Sequence, residues 1–224
     1  VRWSHPARGF ITPSTFIRVA EDSGLVMALG RWVLRTACHQ ASQWNARGSD
    51  APITVTVNLS GRQLQDEGLA FDVDAALRES GLDPSCLILE MTESVIMHES
   101  AAALAPLHQV EGLGVRIAID DFGTGYSSLS HLQQFPVDIL KIDRSFLQRM
   151  HQGPNDAALI RTIIALAKLL SLRTIAEGVE DCEQQEQLRH LGCDSAQGFL
   201  FGRPMSADEV DARYSAIGNA GVER

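Results

Sequence analysis

Nothing in this 224-residue chain approaches the run of roughly 20 apolar residues that crossing a bilayer requires. The longest candidate, residues 159–172, is interrupted by Arg161 and Lys168. The start, Val-Arg-Trp-Ser-His-Pro, lacks the basic segment, apolar stretch and small-residue cleavage site of a signal peptide, so no membrane contact is expected from this segment. A surplus of Lys and Arg is also missing. The formal net charge of −9 disfavours the broad basic surface with which proteins grip polymeric nucleic acid. Cysteine is scarce too: Cys38, Cys86, Cys182 and Cys193 form no CxxC pair, so they read as buried filler in a reducing, cytoplasmic protein. The seven histidines include no HxxxH pair, which removes the usual support for zinc. Solenoid repeats and low-complexity linkers are absent, and the length fits one large domain spanning 1–224.

What is present alternates. Short apolar, β-branched runs occur at Ile53–Val57, Leu87–Leu89, Val115–Ile119, Val137–Ile142 and Arg173–Ala176, with a weaker one at Cys193–Ala196. Helical patterns lie between them, at Leu69–Ser80, Ala101–Glu111, Asn155–Leu170, Glu183–His190 and Ser206–Ile217. The last opens with a capping box, Ser206 and Glu209. This alternation predicts parallel strands covered on both faces, as in a doubly wound sheet or a (β/α)₈ barrel. The residues just past each run favour the barrel. Asn58, Glu90, Asp120, Lys141 with Asp143, Glu177 and Gln197 each end a different strand, and only a barrel gathers many strand ends at one mouth. Six strands cannot close an eight-stranded barrel, and Val1–Trp3 reads as the tail of another strand, so the expectation is that N-terminal strands are missing.

An Asn and several carboxylates on one rim make an oxygen-rich pocket suited to hard cations, Mg²⁺ or Mn²⁺. Any one such acid could instead cap a helix, but capping does not account for five of them. The adjacent carboxylates of Asp120 and Asp121 repel each other unless cations intervene. Two divalent ions there would suit in-line phosphoryl displacement. Behind them, Phe122-Gly123-Thr124-Gly125 places two glycines in a short loop, but the third glycine of a dinucleotide fingerprint is replaced by Ser128. Glu90 and Glu93, three apart, suit different roles. Lys141 stands two residues from Asp143 on one strand face, where a desolvated amine can orient or deprotonate a water, or simply form a buried ion pair.

These residues resemble the EAL-domain family, whose members hydrolyse cyclic di-GMP to linear pGpG. The resemblance rests on Val1–Pro6, Ala20–Leu25, Val57–Ser60, Leu89–Glu93, Asp120–Ser128, Leu140–Asp143, Ala176–Glu180 and Gln197–Pro204, in that order. It implies a modified TIM (β/α)₈ barrel with one antiparallel strand. It also implies Asn58, Glu90, Asp120, Asp121 and Glu177 as ligands of two divalent ions, with Lys141, Glu177 and Glu90 in catalysis and Lys141 holding the attacking water. Arg2 and Gln197 would contact substrate. Glu93 would anchor the loop containing Phe122, Gly123, Thr124 and Gly125, which the family links to metal binding and dimerisation. A homodimer and attached sensory or GGDEF-type domains upstream are further expectations. In the family a Glu-Ala-Leu directly precedes the segment resembling Val1–Trp3, and its Glu is a metal ligand. The expectation is therefore an N-terminally truncated domain, impaired on its own. The alternative is a catalytically inactive cyclic di-GMP receptor; receptors usually show eroded carboxylates, whereas those within this chain are intact.

Overall fold

The computed structural model of the chain describes residues 1–47, 52–98, 104–125, 132–150 and 154–219. Its central feature is a curled sheet of six parallel strands in sequence order: β3 (Val55–Asn58), β4 (Leu87–Thr92), β5 (Arg116–Phe122), β6 (Ile139–Ile142), β7 (Arg173–Glu177) and β8 (Ser195–Gln197). The sheet is a half-barrel with β3 and β8 at its edges. The only antiparallel pairing among the described residues is a separate hairpin of β1 (Trp3–His5) and β2 (Gly9–Ile11). Of the run read at Val1–Trp3 as the tail of a strand, only Trp3 lies in a strand, β1 of that hairpin, outside the parallel sheet.

Helices pack on the outer face as the apolar periodicity requires. They are α4 (Leu69–Ser80), α6 (Leu104–Gly112), α8 (Pro154–Leu169) and α9 (Cys182–Leu191), preceded by α1 (Pro13–Ser23), α2 (Val26–Asn45) and the short α3 (Gly61–Leu64); α10 (Ala207–Asn219) follows the last strand. Two brief helices, α5 (Glu93–His98) and α7 (Arg144–Arg149), leave the tops of β4 and β6 directly. The predicted start of the helix at Ala101 lies outside the described residues; within them the helix spans Leu104–Gly112.

Side chains alternate across each strand with period two, and burial separates the two faces. Leu87, Leu89 and Met91 of β4, Ile117 and Ile119 of β5, and Leu140 and Ile142 of β6 join the main core under the helices. The opposite, inner face carries a small second cluster of Ile88, Ala118 and Ile139, with Ile175 packed against it. Two residues further along these same four strands stand Glu90, Asp120, Lys141 and Glu177. Period two therefore puts the four charged side chains in a layer directly above an apolar floor, at the C-terminal mouth. Buried apolar side chains at the edge of a barrel interior and charges at its mouth are the layering expected of this architecture.

Cysteine burial divides more evenly than expected. Cys38 and Cys86 are buried, as filler should be, but Cys193 is half-buried and Cys182 is exposed at the start of α9. All four thiols are free.

Candidate functional site

Pairing fixes the height of each mouth residue. Asn58 lies opposite Glu90, Thr92 opposite Asp120, Lys141 opposite Ile175, and Glu177 opposite Gln197. The β5–β6 pair breaks step: Ile119 faces Leu140 and Phe122 faces Ile142, so Asp120 and Asp121 together span the place of Lys141 alone. Two residues against one is a β-bulge, a device that re-aims side chains at strand ends. In an unbroken strand Asp120 and Asp121 would point to opposite faces. The bulge lets both carboxylates serve the mouth, with Asp121 at φ +56°, a left-handed conformation that Asp tolerates better than most residues.

Lys141 is the hub. Its Nζ lies 2.8 Å from Glu90 Oε1 and 3.0 Å from Asp120 Oδ1, and it also pairs with Glu177 Oε1. Gln197 Nε2 donates to that same Glu177 oxygen at 2.6 Å. Lys141 is 3 % exposed and Glu90 7 %, so these charges are held by one another more than by water. Burial works against the ammonium, but Glu90 and Glu177 outweigh it and hold Lys141 above its ordinary range. Burial pushes Glu177 up to about 7, opposed by Lys141 and reinforced by Asp120. Burial also raises Glu90, although pairing with Lys141 alone would lower it. Three carboxylates share the Lys141 ammonium and keep it charged.

One ammonium does not neutralise this cluster. Oxygens of Asp120, Asp121 and Glu177 lie within 4.8 Å of one another, a spacing that suits a bound cation. Asp121 is raised by burial, then by Asp120 and by Asp143. Asp143, which shares a hydrogen bond with Asp121, stays below its usual range despite burial because Ser145 donates to it, N–H to Oδ1 at 3.0 Å. Surplus carboxylates crowded together and destabilised in their charged form fit hard divalent cations.

Glu93 is buried at the start of α5, where its Oε2 accepts the Gly123 amide at 2.8 Å and the Gly125 amide at 3.3 Å. The loop is tied down further by Thr124 Oγ1, which donates to the Asp121 carbonyl at 2.8 Å. Gly123 sits at φ +94°, and a Cβ there would meet the Phe146 ring at 2.8 Å, so this position requires glycine. Phe122 is buried below.

Most of the residues singled out in the sequence therefore converge. Glu90, Asp120, Asp121, Lys141, Glu177 and Gln197 form one connected cluster, and Glu93 braces its loop. Asn58 stands exposed at the open edge of the same rim, beside Glu90. Arg2 is not brought to the cluster: it is exposed and its Nη1 donates to the Val1 carbonyl at 3.2 Å. Two features went unread. Asp143, read as a neighbour of Lys141 on one strand face, shares a hydrogen bond with Asp121 instead. Beside Glu177 and Gln197 opens a cavity of about 790 Å³, walled by Arg144, Phe199, Arg203 and Arg213. The Arg203 guanidinium stacks over the Phe199 ring, 4.6 Å from its centre.

The sequence and the fold find close counterparts. Residues 1–204 match the EAL domain family, and the chain belongs to it. It is 48% identical over 210 residues to the bifunctional diguanylate cyclase/cyclic di-GMP phosphodiesterase MucR of Pseudomonas aeruginosa, covering 94% of this chain and 30% of that protein. Against the cyclic di-GMP phosphodiesterase PdeR of Escherichia coli the identity is 41%, covering 96% of this chain and 32% of the relative. The chain thus spans about a third of the length of these curated relatives. A solved structure of the PaMucR phosphodiesterase in complex with c-di-GMP superposes with a TM-score of 0.87 at 48% identity, covering 93% of this chain and 84% of the other. The EAL domain of Mycobacterium smegmatis DcpA gives a TM-score of 0.78 at 42% identity, covering 84% of each chain.

Proposed function

We propose that this domain hydrolyses cyclic di-GMP to linear pGpG with two divalent ions, Mg²⁺ or Mn²⁺. The observation that carries the reading is the cluster in which Glu90, Asp120 and Glu177 surround Lys141 while Asp121 is bulged alongside. The names of the MucR and PdeR relatives support the substrate. In this reading Asp120, Asp121 and Glu177 hold the ions, with Glu90 and Asn58 completing the set. When bound, the ions would offset phosphate charge and make water a better nucleophile. Lys141, kept as an ammonium, cannot take a proton; it orients the attacking water and steadies the carboxylates. Burial raises Glu177 before metal binds, so loading the ions would displace its proton and leave the carboxylate, fixed by Lys141 and Gln197, free to ligate. Gln197 fixes the Glu177 oxygen and faces the neighbouring cavity, where the nucleotide would lie. Arg2 enters as a phosphate contact only if it leaves the Val1 carbonyl.

Incubation with cyclic di-GMP and Mg²⁺ or Mn²⁺, followed by chromatography, should yield the linear dinucleotide in a metal-dependent manner. Saturable binding without product would favour the receptor reading; neither binding nor product would overturn both. The same proposal includes a homodimer, checked by light scattering, and an attached GGDEF-type or sensory domain, supported by the bifunctional name of the MucR relative. Free thiols at all four cysteines support a cytoplasmic location.

A further inference from the structure

The cavity beside Glu177 has one wall made of residues 198–205 and another made by α10, and Arg213 reaches from the second to the first. Arg213 Nη2 donates to the Phe201 carbonyl at 3.0 Å. Its other terminal nitrogen lies so near Gly202 that a Cβ there would approach it to 3.0 Å. Among the described residues, the backbone bonds from the 198–205 segment to the barrel lie in its first half, where Leu200 also packs on the core. The Val179 amide donates to the Gln197 carbonyl and the Leu200 amide to the Val179 carbonyl, each at 3.0 Å. Gly198 permits this approach, because a Cβ would fall 2.2 Å from the Val179 carbonyl oxygen.

Arg213 is itself aimed by its own helix. A reciprocal capping box starts α10: Glu209 Oε2 accepts from the Ser206 amide at 2.6 Å, and the Glu209 amide donates back to Ser206 Oγ at 3.3 Å. Two residues on, Asp211 reaches the end of α2. It accepts the Trp44 indole N–H at 2.5 Å and takes Arg47 in both oxygens, at 2.7 and 3.0 Å. A two-pronged arginine–carboxylate pair with an added indole donor fixes direction as well as proximity. Trp44 and Arg47 lie more than 160 positions away in the chain.

We infer that Asp211 and Arg213 are positioning residues that set the width of the nucleotide cavity: the Trp44/Arg47–Asp211 clasp orients α10, and Arg213 then holds the Phe201 carbonyl. This inference rests on the hydrolytic reading for its substrate, but not for its geometry. Neither side chain touches the carboxylate cluster. Their loss should therefore weaken nucleotide binding while sparing the chemical step.

Two measurements on Arg213→Gln, Asp211→Asn and the wild type test it. With cyclic di-GMP and Mn²⁺, Arg213→Gln should raise KM about five- to tenfold with kcat within about twofold, and Asp211→Asn should do the same more weakly. Arg213→Lys, which retains a donor but not the planar fork, should recover part of the loss. Hydrogen exchange without nucleotide should show faster exchange of the Leu200–Gly202 amides in both variants, with the β4–β7 amides unchanged. Unchanged exchange at 200–202 overturns the clasp whatever the activity. Faster exchange in a wild-type background that neither binds nor cleaves cyclic di-GMP would sink the hydrolytic reading and leave the clasp standing. A fall in kcat matching any rise in KM would also overturn the positioning role.

Discussion

Lys141, which pairs with Glu177 at the margin of the cavity, and Arg213, which lines it, are both cations, yet they are held in opposite ways. Lys141 lies at the middle of the sheet, where pairing on both sides fixes its strand and three carboxylates fix its ammonium. Arg213 is exposed on the last helix and works through one carbonyl of a loop beyond the edge strand. The centre is specified by register, the edge by a few side-chain bonds. Chemistry belongs where geometry cannot drift, and fit to a ligand belongs where it can be adjusted.

Substitutions at the centre should have the largest effect. Asp120→Ala removes an oxygen that serves both Lys141 and the metal set, and should lower turnover at least about a thousandfold in the product assay. Lys141→Ala should be comparably inactive and less stable by about 3–5 kcal/mol in thermal melts without metal, because it leaves buried Glu90 and half-buried Asp120 and Glu177 without the cation they share. Added Mn²⁺ should recover more of that stability than it adds to the wild type. Next comes the brace of the glycine loop. Glu93→Ala orphans the Gly123 and Gly125 amides and should lower metal affinity or activity about 10- to 100-fold, with Glu93→Gln less harmful because one oxygen still accepts. Retained activity in Glu93→Ala would show that the loop holds its shape without the carboxylate.

The acidity of Glu177 gives a smaller, continuous effect. Its pKa in the folded protein, about 7, lies above its ordinary value of 4.5, so the proton is bound more tightly when folded. Its contribution to metal-free stability is complete below pH 4.5 and disappears as pH rises through 7. A cation must displace that proton, so Mn²⁺ affinity measured by calorimetry should be about tenfold tighter at pH 8 than at pH 6. Glu177→Gln should flatten this dependence. At the periphery, Arg203→Gln breaks the stack on Phe199 and should raise KM only a few-fold, leaving kcat unchanged. An effect on kcat as large as that of Asp120→Ala would erase the distinction between centre and edge.

The mouth residues were legible because each follows an apolar run, and strand ends in a parallel barrel face one way. Their height was not. That Glu90, Asp120, Lys141 and Glu177 stand together depends on pairing register and on the bulge at Asp120–Asp121, neither of which an apolar run encodes. Helices α1 and α2 went unread although signals were present: Pro13 at the first turn, Gly24 at the C-cap, and Val26, Gly30, Leu34, Cys38 and Ala41 buried at steps of four, four, four and three. No neighbouring strand run framed them. The cavity wall at Arg213 lay beyond sequence reasoning, since its support comes from Trp44 and Arg47, on the far side of the chain.

The floor of Ile88, Ala118, Ile139 and Ile175 has an electrical consequence. Hydrocarbon beneath the charged layer polarises little, whereas solvent above it screens strongly, so field lines from the cluster are focused outward through the mouth. A polar side chain at Ala118, by admitting water from below, would dim that field without displacing a single charged group.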